Sequence, residues 1–202
     1  MTRKRSSRSA TPRRSRQGGK LRVIGGEFRR RQLPVPERPG LRPTPDRVRE
    51  TLFNWLGQTL DGKRVLDAFA GTGALGIEAL SRGAARVEFI EHDAKAAAQL
   101  RDNLATLKTD GGRVTCGEVG AFLAASPATD TFDLVLLDPP FHQGLVASCC
   151  AALEDGGWLS PRALIYVEAE SSGLPAVPDS WELYRETRAG DTTARLYRRG
   201  DG

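Results

Sequence analysis

The sequence predicts an α/β fold with a doubly wound, mostly parallel sheet, and three observations support this prediction. From residue 64 onward, five short apolar runs alternate with helical patterns, as in successive βαβ units. A glycine-rich turn, GTGALG, follows the first of these runs and begins a helix. Charge is also segregated, because residues 1–49 hold 16 Lys and Arg against three acids while residues 50–202 hold 14 against 22. We therefore expect an acidic globule with a small basic N-terminal annex.

The chain is expected to divide into three parts. Residues 1–20 contain eight basic residues, four serines and no acid, so we predict a disordered basic tail whose natural partner is a nucleic acid. Residues 21–60 are expected to form a basic hairpin and a helix. Residues 61–202 then form the main domain, in which the strands and helices alternate.

The predicted hairpin of the annex carries a cluster of arginines. Short β-type runs surround Gly25 and Gly26, which suit a turn. The segment that follows contains Arg29, Arg30 and Arg31. We expect these three side chains to contact a polyanionic substrate.

The helix of the annex has a clear start signal. Thr44 is a suitable N-cap, Pro45 suits the first turn, and Asp46 lies where the helix dipole favours an anion. The apolar residues that follow fall on one stripe of the helix. This arrangement is expected to leave Arg47 and Arg49 free for other contacts.

The main domain is predicted element by element from residue 64. Strands are expected within residues 64–70, 86–93, 113–117, 132–138 and 163–170. Helices are expected within residues 73–83, 94–108, 119–126 and 144–157. The last two β-type runs, within residues 181–199, surround an Ala-Gly-Asp turn and predict a C-terminal antiparallel hairpin.

Composition excludes several classes of protein. There is no apolar run of about 18 residues, and the basic N-terminus lacks the apolar stretch of a secretory signal. The three cysteines, Cys116, Cys149 and Cys150, form no C-x-x-C pair, and the chain has only two histidines, so neither a disulfide framework nor a metal site is expected. We expect a cytoplasmic monomer with no metal and no membrane partner.

The glycine turn marks a binding site for a nucleotide-like cofactor. Gly71, Gly73 and Gly76 match G-x-G-x-x-G between a strand and a helix, where glycine allows close approach of the backbone to a ligand. Glu91 follows Gly71 by 20 residues, at the tip of the next strand, where a carboxylate can accept both hydroxyls of a ribose. This pattern indicates a Rossmann-like fold. By itself it fits a nicotinamide cofactor as well as any other, so it does not identify the cofactor.

Asp67 favours a cationic cofactor. It ends the first strand, four residues before Gly71, and would face the space above the glycine turn. A carboxylate there repels a pyrophosphate but attracts an ammonium group. S-adenosylmethionine carries an ammonium, a sulfonium and a ribose without a phosphate, so it suits Asp67 and Glu91 together.

The fourth strand ends in the sequence DPPF, which suits transfer to an amine of a nucleobase. The Asp138 carboxylate and the Pro139 carbonyl can accept both hydrogens of an exocyclic amine and stabilise the charge that develops on it. Both prolines hold the backbone rigid. Phe141 can stack on an extruded base, and Pro140 and His142 can also contact it.

Several stretches resemble the RsmD family of 16S ribosomal RNA guanine methyltransferases, over residues 21–199. The similar stretches are RVIGGEFRRRQL, RPTPDRVRETLFNWL, LDAFAGTGALGIEALSRGA, DPPFHQGL, LEDGGWL, ALIYVEAE and ARLYRR. The resemblance implies an S-adenosylmethionine-dependent methyltransferase domain over residues 61–202. Its implied reaction is methylation of the 2-amino group of a guanine, position 966 of 16S ribosomal RNA in standard numbering, within assembled or assembling small ribosomal subunits.

The resemblance also implies roles for individual residues. Asp67, Gly71 and Gly73 would line the methionine part of the donor, and Glu91 would bind its ribose. The target base would lie against residues 138–141. Two further contacts with the donor are implied, one from Arg47 at the start of the annex helix and one to the adenine from Glu118 and the backbone of Val119.

Three alternative functions stay open on the residues alone. An adenine-amino methyltransferase acting on DNA would share the DPPF corner, although the chain has no long insertion for target recognition. A nicotinamide-dependent oxidoreductase would share the glycine turn, but Asp67 is unfavourable beside a pyrophosphate. An RNA-binding module without activity would not need both Asp138 and Phe141.

Overall fold

The computed structural model describes residues 19–36, 44–125, 131–140 and 144–200. The predicted tail, residues 1–20, therefore lies almost entirely outside the described residues. The strands are β1 (Lys20–Arg22), β2 (Gln32–Pro34), β3 (Arg64–Asp67), β4 (Arg86–Glu91), β5 (Gly112–Cys116), β6 (Phe132–Leu137), β7 (Leu159–Glu170), β8 (Trp181–Ala189) and β9 (Thr192–Arg199). The helices are α1 (Asp46–Leu56), α2 (Ala74–Ser81), α3 (Ala94–Leu107), α4 (Val119–Ala124) and α5 (Leu145–Asp155).

The main sheet confirms the predicted architecture. Its seven strands run in the order β5-β4-β3-β6-β7-β9-β8, and the first five are parallel. The chain moves outward from β3 to β5 and then returns to the other side of β3 to form β6. The connections after β3 and β6 therefore diverge, which creates the crevice where ligands bind in doubly wound sheets.

The two faces of the sheet bury separate apolar clusters. Along β6, Leu134 and Leu136 pack on one face and Val135 and Leu137 on the other, as the period of two requires. The first face is covered by α1, α2, α3 and the β1–β2 hairpin, and the second by α4 and α5. Both faces of the parallel strands are therefore buried, which explains why their sequences are almost continuously apolar.

The C-terminal hairpin is confirmed as well, but β9 rather than β8 joins the parallel part of the sheet. β9 pairs antiparallel with β7, and β8 forms the edge. Glu154 of α5 anchors this hairpin, because it accepts hydrogen bonds from the Trp181 indole at 2.8 Å and from Arg199 Nη2 at 2.8 Å. β7 begins at Leu159, four residues before the predicted start of that strand.

The basic hairpin of the annex is part of the main core. β1 and β2 pair antiparallel, with Leu21 opposite Leu33. Leu21, Leu33 and Phe28 are buried in the same cluster as Phe53 of α1 and the sheet residues of that face. The annex therefore shares its stability with the main domain.

Two predictions about α1 are wrong. Pro45 occupies the N-cap and no side-chain cap forms there, since the Thr44 hydroxyl instead donates to Asp138 Oδ2 at 3.3 Å. Arg49 is not free: it is buried, with Nη2 bonded to Asp46 Oδ1 at 2.6 Å and to the Arg22 carbonyl at 2.9 Å. Both departures have the same cause, because α1 is packed against the core and its polar groups bond to distant parts of the chain. Asp46 lies in the first turn as predicted.

Within the described ranges, no helix is long and apolar enough to cross a membrane.

Candidate active site

Four neighbouring parallel strands each end in a carboxylate on the same face of the sheet. Asp67 pairs with Phe89, two residues before Glu91, and with Leu136, two residues before Asp138. The pairing of Leu137 with Val167 places Asp138 beside Glu168 of β7. Because side chains alternate along a strand, these registers put the four acids on one face. We call Glu91, Asp67, Asp138 and Glu168 the carboxylate row.

Asp67 is buried at the centre of this row. Its Oδ2 accepts a hydrogen bond from the Gly76 N–H of α2 at 2.9 Å. Burial raises the pKa of Asp67 to about 7, and the charges of Asp138 and Glu91 contribute to the rise, while the Gly76 N–H opposes it. A cationic ligand bound next to Asp67 would therefore stabilise its ionised form.

The glycine turn lies between β3 and α2, as predicted. Gly71 and Gly73 have φ angles of 53° and 77°, and residues with a Cβ rarely adopt this conformation. Glu91 holds the turn in place, because its Oε2 accepts from the Gly71 N–H at 2.8 Å and its Oε1 from the Asp93 N–H at 2.7 Å. Each carboxylate oxygen has a second lone pair, so Glu91 can still accept hydrogen bonds from a ligand.

Asp138 follows β6 at the point where the chain leaves the sheet. Its carboxylate accepts the hydrogen bond from Thr44, and burial raises its pKa to about 6 while that hydrogen bond opposes the rise. Pro139 is buried and Pro140 is exposed next to it. The two predicted base-contacting residues that follow, Phe141 and His142, lie outside the described residues.

Sequence reasoning missed Thr44 and Glu168 as residues of this site. Thr44 precedes α1 and has the local features of a helix cap. Glu168 is buried near the end of β7, and its Oε2 accepts a hydrogen bond from the Tyr166 hydroxyl at 3.0 Å. The sequence does carry a signal for Glu168, because it is an acid near the tip of an otherwise apolar strand.

The other predicted residues are not members of the carboxylate row but lie on α1, at the start of α4 and on the β1–β2 connection. Glu118 is the exposed N-cap of α4, after β5, and Val119 is buried at the first position of that helix. Arg47 is exposed on α1. The arginines at positions 29, 30 and 31 are exposed on the β1–β2 connection, and Arg31 Nη2 donates to the Thr106 carbonyl at 3.1 Å.

The carboxylate row favours a positively charged ligand. Burial and mutual repulsion raise the pKa of Asp67 and Glu168, burial raises that of Asp138, and no cation among the described residues offsets these shifts. Within the described part of the chain, no group of three or more potential ligands is arranged to hold a metal ion. A pyrophosphate would add negative charge to this edge, whereas an ammonium or sulfonium group would relieve the repulsion. The row therefore fits the predicted donor better than it fits a dinucleotide.

Gly76 allows Asp67 and Phe89 to pack against α2, so we predict that Gly76→Ala damages the site. A Cβ at this position would overlap the Phe89 ring and lie 2.9 Å from Asp67 Oδ2. We expect a loss of about 1–3 kcal/mol in the free energy of unfolding, as in other overpacked cores, together with weaker binding of the cofactor. Chemical denaturation and calorimetry of cofactor binding would measure the two effects.

Gly120→Ala is the matched control, since Gly120 lies in α4 with no heavy atom near the position of a Cβ. An alanine there should stabilise the helix by about 0.5–1 kcal/mol. Equal stability of the two variants would contradict the packing role of Gly76.

Comparison with known proteins gives consistent matches over almost the whole chain. The model of the family described as Conserved hypothetical protein 95 matches residues 21–198. Ribosomal RNA small subunit methyltransferase D of Escherichia coli (strain K12) is 52% identical over 182 residues, which cover 90% of this chain and 91% of that relative. The protein of the same name from Haemophilus influenzae is 45% identical over 181 residues, covering 89% and 94% of the two chains.

A solved structure agrees with these sequence matches. The protein named yhhF from Escherichia coli superposes with a TM-score of 0.85 at 49% identity. The alignment covers 91% of this chain and 100% of that structure. The similarity therefore includes the annex, the sheet and the C-terminal hairpin.

Proposed function

Because this chain belongs to the Conserved hypothetical protein 95 family, the family of the ribosomal RNA small subunit methyltransferases D, we propose that it methylates the 2-amino group of a guanine in 16S ribosomal RNA. S-adenosylmethionine is the proposed donor, and it supplies a methyl group bound to a positively charged sulfur. The observation that carries this proposal is the row of four carboxylates at the edge where the glycine turn meets the Asp-Pro-Pro corner.

The residues of the row have distinct proposed roles toward the donor. Asp67 attracts its ammonium group, and the backbone of Gly71 and Gly73 allows close approach of the methionine part. Glu91 accepts the ribose hydroxyls while it holds the glycine turn. Glu118 and the backbone of Val119, which follow β5 on the same edge of the sheet, are proposed to bind the adenine.

The proposed transfer needs no covalent intermediate with the protein. A donor held by these residues would supply the methyl group and keep the electron pair of its carbon–sulfur bond, and the methylated amine would release one proton to solvent. Asp138 and the Pro139 carbonyl accept hydrogen bonds from the amine and stabilise its developing positive charge. Their rigid placement also orients the amine in line with the bond that breaks.

We propose that the basic annex brings the RNA to this edge. The exposed arginines at positions 29, 30 and 31 lie on the same hairpin that packs against α1, and α1 begins next to Asp138. Such side chains neutralise phosphates without reading sequence. The proposed physiological substrate is accordingly the folded RNA of a small ribosomal subunit, where docking on the particle presents one guanine.

An assay with a labelled methyl group tests the proposed function. Unmethylated small subunits, free 16S ribosomal RNA and duplex DNA are offered in parallel with S-adenosylmethionine, and the modified nucleoside is identified after digestion. We expect label in 2-methylguanosine from the small subunits. Label in adenine of DNA would contradict the proposed substrate, and label in no substrate would contradict the activity itself.

The raised pKa of Asp138 predicts an acid limit to activity. Only the ionised carboxylate can accept hydrogen bonds with both oxygens, so kcat/KM should fall as the pH drops through about 6, where Asp138 becomes protonated. The Thr44 hydroxyl stabilises the ionised form and lowers this pKa. Thr44→Val should therefore move the acid limb of the kcat/KM profile to higher pH.

Thr51→Val is the control for this prediction. The Thr51 hydroxyl donates to the Arg47 carbonyl within α1 at 2.9 Å, so its loss changes the same helix without touching Asp138. Its profile should match that of the unmodified protein. An acid limb that stays in place in Thr44→Val would show that Thr44 does not act on Asp138.

A further inference from the structure

Glu168 lies beside the proposed transfer site but has no role in the chemistry above. The strand register places it next to Asp138, and it is 8% exposed. Among the described residues, its one hydrogen-bond partner is the Tyr166 hydroxyl, which donates to Oε2 at 3.0 Å. Oε1 accepts nothing from these residues. The carboxylate is thus held in place by one oxygen while the other stays available.

The hydrogen bond from Tyr166 accounts for one oxygen of this carboxylate and leaves the other without a structural role. Burial raises the pKa of Glu168 to about 7, and the negative charge of Asp138 contributes to the rise. A buried charge without a cationic partner destabilises a fold, and apolar side chains such as those of Val167 and Ala169 would fill the strand at lower cost. A ligand group that uses the free oxygen would account for the acid at this position.

Glu168 lines a cavity at the same edge of the sheet. The cavity measures about 200 Å³ and lies between the end of β6, the start of α5 and the end of β7. Its wall includes Pro139, Pro140, Leu145, Val146, Glu168 and Gly173. The walls are mostly apolar and carry two carboxylates, Glu168 and Glu170, which suits a ring that carries an N–H donor.

The geometry points to the target guanine as that ring. We propose that Glu168 is a specificity-determining residue that accepts a hydrogen bond from the N1–H of the guanine whose 2-amino group lies at Asp138 and Pro139. This inference rests on the proposed function. In guanine, N1–H is directly adjacent to the 2-amino group, as Glu168 is adjacent to Asp138 along the sheet edge. Adenine and 2,6-diaminopurine instead present a lone pair at N1, which a carboxylate repels.

The test uses 2,6-diaminopurine, because this base keeps the reactive 2-amino group and lacks only N1–H and the oxygen at C6. Small subunits are reconstituted with guanine or 2,6-diaminopurine at the methylated position, and single-turnover rates are measured with the full chain and labelled S-adenosylmethionine. The unmodified protein should prefer guanine by about 10- to 100-fold, the range for one hydrogen bond to a charged group. Glu168→Gln should reduce that preference to within about threefold, because an amide can either accept from N1–H or donate to N1.

Two further variants complete the design. Glu168→Met removes every hydrogen-bonding oxygen and should also lose the preference, mainly through a slower rate on guanine. Glu182→Gln changes an exposed acid on the edge strand β8 and should keep the preference of the unmodified protein. The affinity of each variant for S-adenosylmethionine is measured by calorimetry and should equal that of the unmodified protein.

The outcomes separate this inference from the proposed function. If the unmodified protein methylates guanine and Glu168→Gln keeps the full preference, the inference fails while the proposed function stands. If Glu168→Gln weakens S-adenosylmethionine binding tenfold, Glu168 belongs to the donor site and the inference fails as well. If the unmodified protein methylates neither base, the proposed function itself is wrong and the inference falls with it.

Discussion

Asp138→Ala is expected to slow methyl transfer by about 10²–10³-fold, the loss that follows removal of one preorganised group that stabilises charge in the transition state. Alanine leaves the amine with the Pro139 carbonyl alone, so the positive charge that develops on nitrogen loses its principal acceptor. The affinity for S-adenosylmethionine should change only a few-fold, because Asp67 and Glu91 keep their positions. Single-turnover rates on small subunits and calorimetry of the donor measure the two quantities separately.

Asp138→Asn tests this prediction further, and Asp155→Asn is its control. The side-chain amide oxygen introduced by the first variant can still accept one hydrogen bond but cannot titrate, so we expect a smaller loss and a weaker dependence on acid pH. Asp155 is exposed at the end of α5, and its replacement should leave the rate unchanged. Equal rates for Asp138→Ala and the unmodified protein would remove Asp138 from the mechanism.

Glu78→Ala is expected to have the largest effect on stability, a loss of about 3–5 kcal/mol, as when one partner of a buried ion pair is removed. Glu78 lies on α2 and is 0% exposed. Its two oxygens accept from the N–H groups of Ile24 and Gly25 at 2.9 and 2.7 Å, and from Arg82 Nε at 3.0 Å. Arg49 Nη1 of α1 lies 3.5 Å from Oε2. Alanine would leave all of these donors buried or half-buried without an acceptor.

The loss should begin at the annex. Glu78 is one of the residues that join the β1–β2 connection to α2 and to α1, and it accepts from the Ile24 and Gly25 amides, so their hydrogen exchange should accelerate before that of the central strands. Arg49 also donates to the Thr44 carbonyl at 3.1 Å, and Thr44 contacts Asp138. We therefore expect slower methyl transfer in this variant even at temperatures where it is folded.

Glu27→Ala is the matched control for stability. Glu27 lies on the same β1–β2 connection, but its side chain is exposed. Its replacement should change the free energy of unfolding by less than about 0.5 kcal/mol, as for most surface substitutions. If Glu78→Ala and Glu27→Ala unfold at the same denaturant concentration, the buried network does not stabilise the annex.

The order of the elements could be predicted from the sequence because it depends on local chemistry. A continuous apolar run followed by a turn identifies a buried strand, and this pattern does not depend on distant residues. Gly71 and Gly73 are recognisable for the same reason, since a turn with positive φ requires glycine wherever it lies. The glycine turn, Asp67, Glu91 and Asp138 are all predicted at strand tips, and the sheet brings them to one edge.

Contacts between distant parts of the chain could not be predicted in this way. Thr44 and Asp138 are 94 positions apart, and Thr44 has every local feature of a helix cap. Arg49 looks free on a helical wheel, but its partners come from β1, α1 and α2. Asp46 is near Arg49 in the sequence, but Arg22, Glu78 and the Asp138 partner of Thr44 are all more than 20 positions away from the residue they contact.

By itself, the sequence determined the α/β architecture, the glycine turn and the acid at the end of the fourth strand of the main domain, because periodicity and turn chemistry act over a few residues. Only the tertiary structure decided that Glu168 joins Asp138 and that Thr44 contacts it. Those relations depend on which strands become neighbours and on where α1 packs. The physical reason is the strand order: its reversal at β3 places β6 beside β3, β7 then pairs with β6, and the register of these pairs brings the carboxylates onto one face.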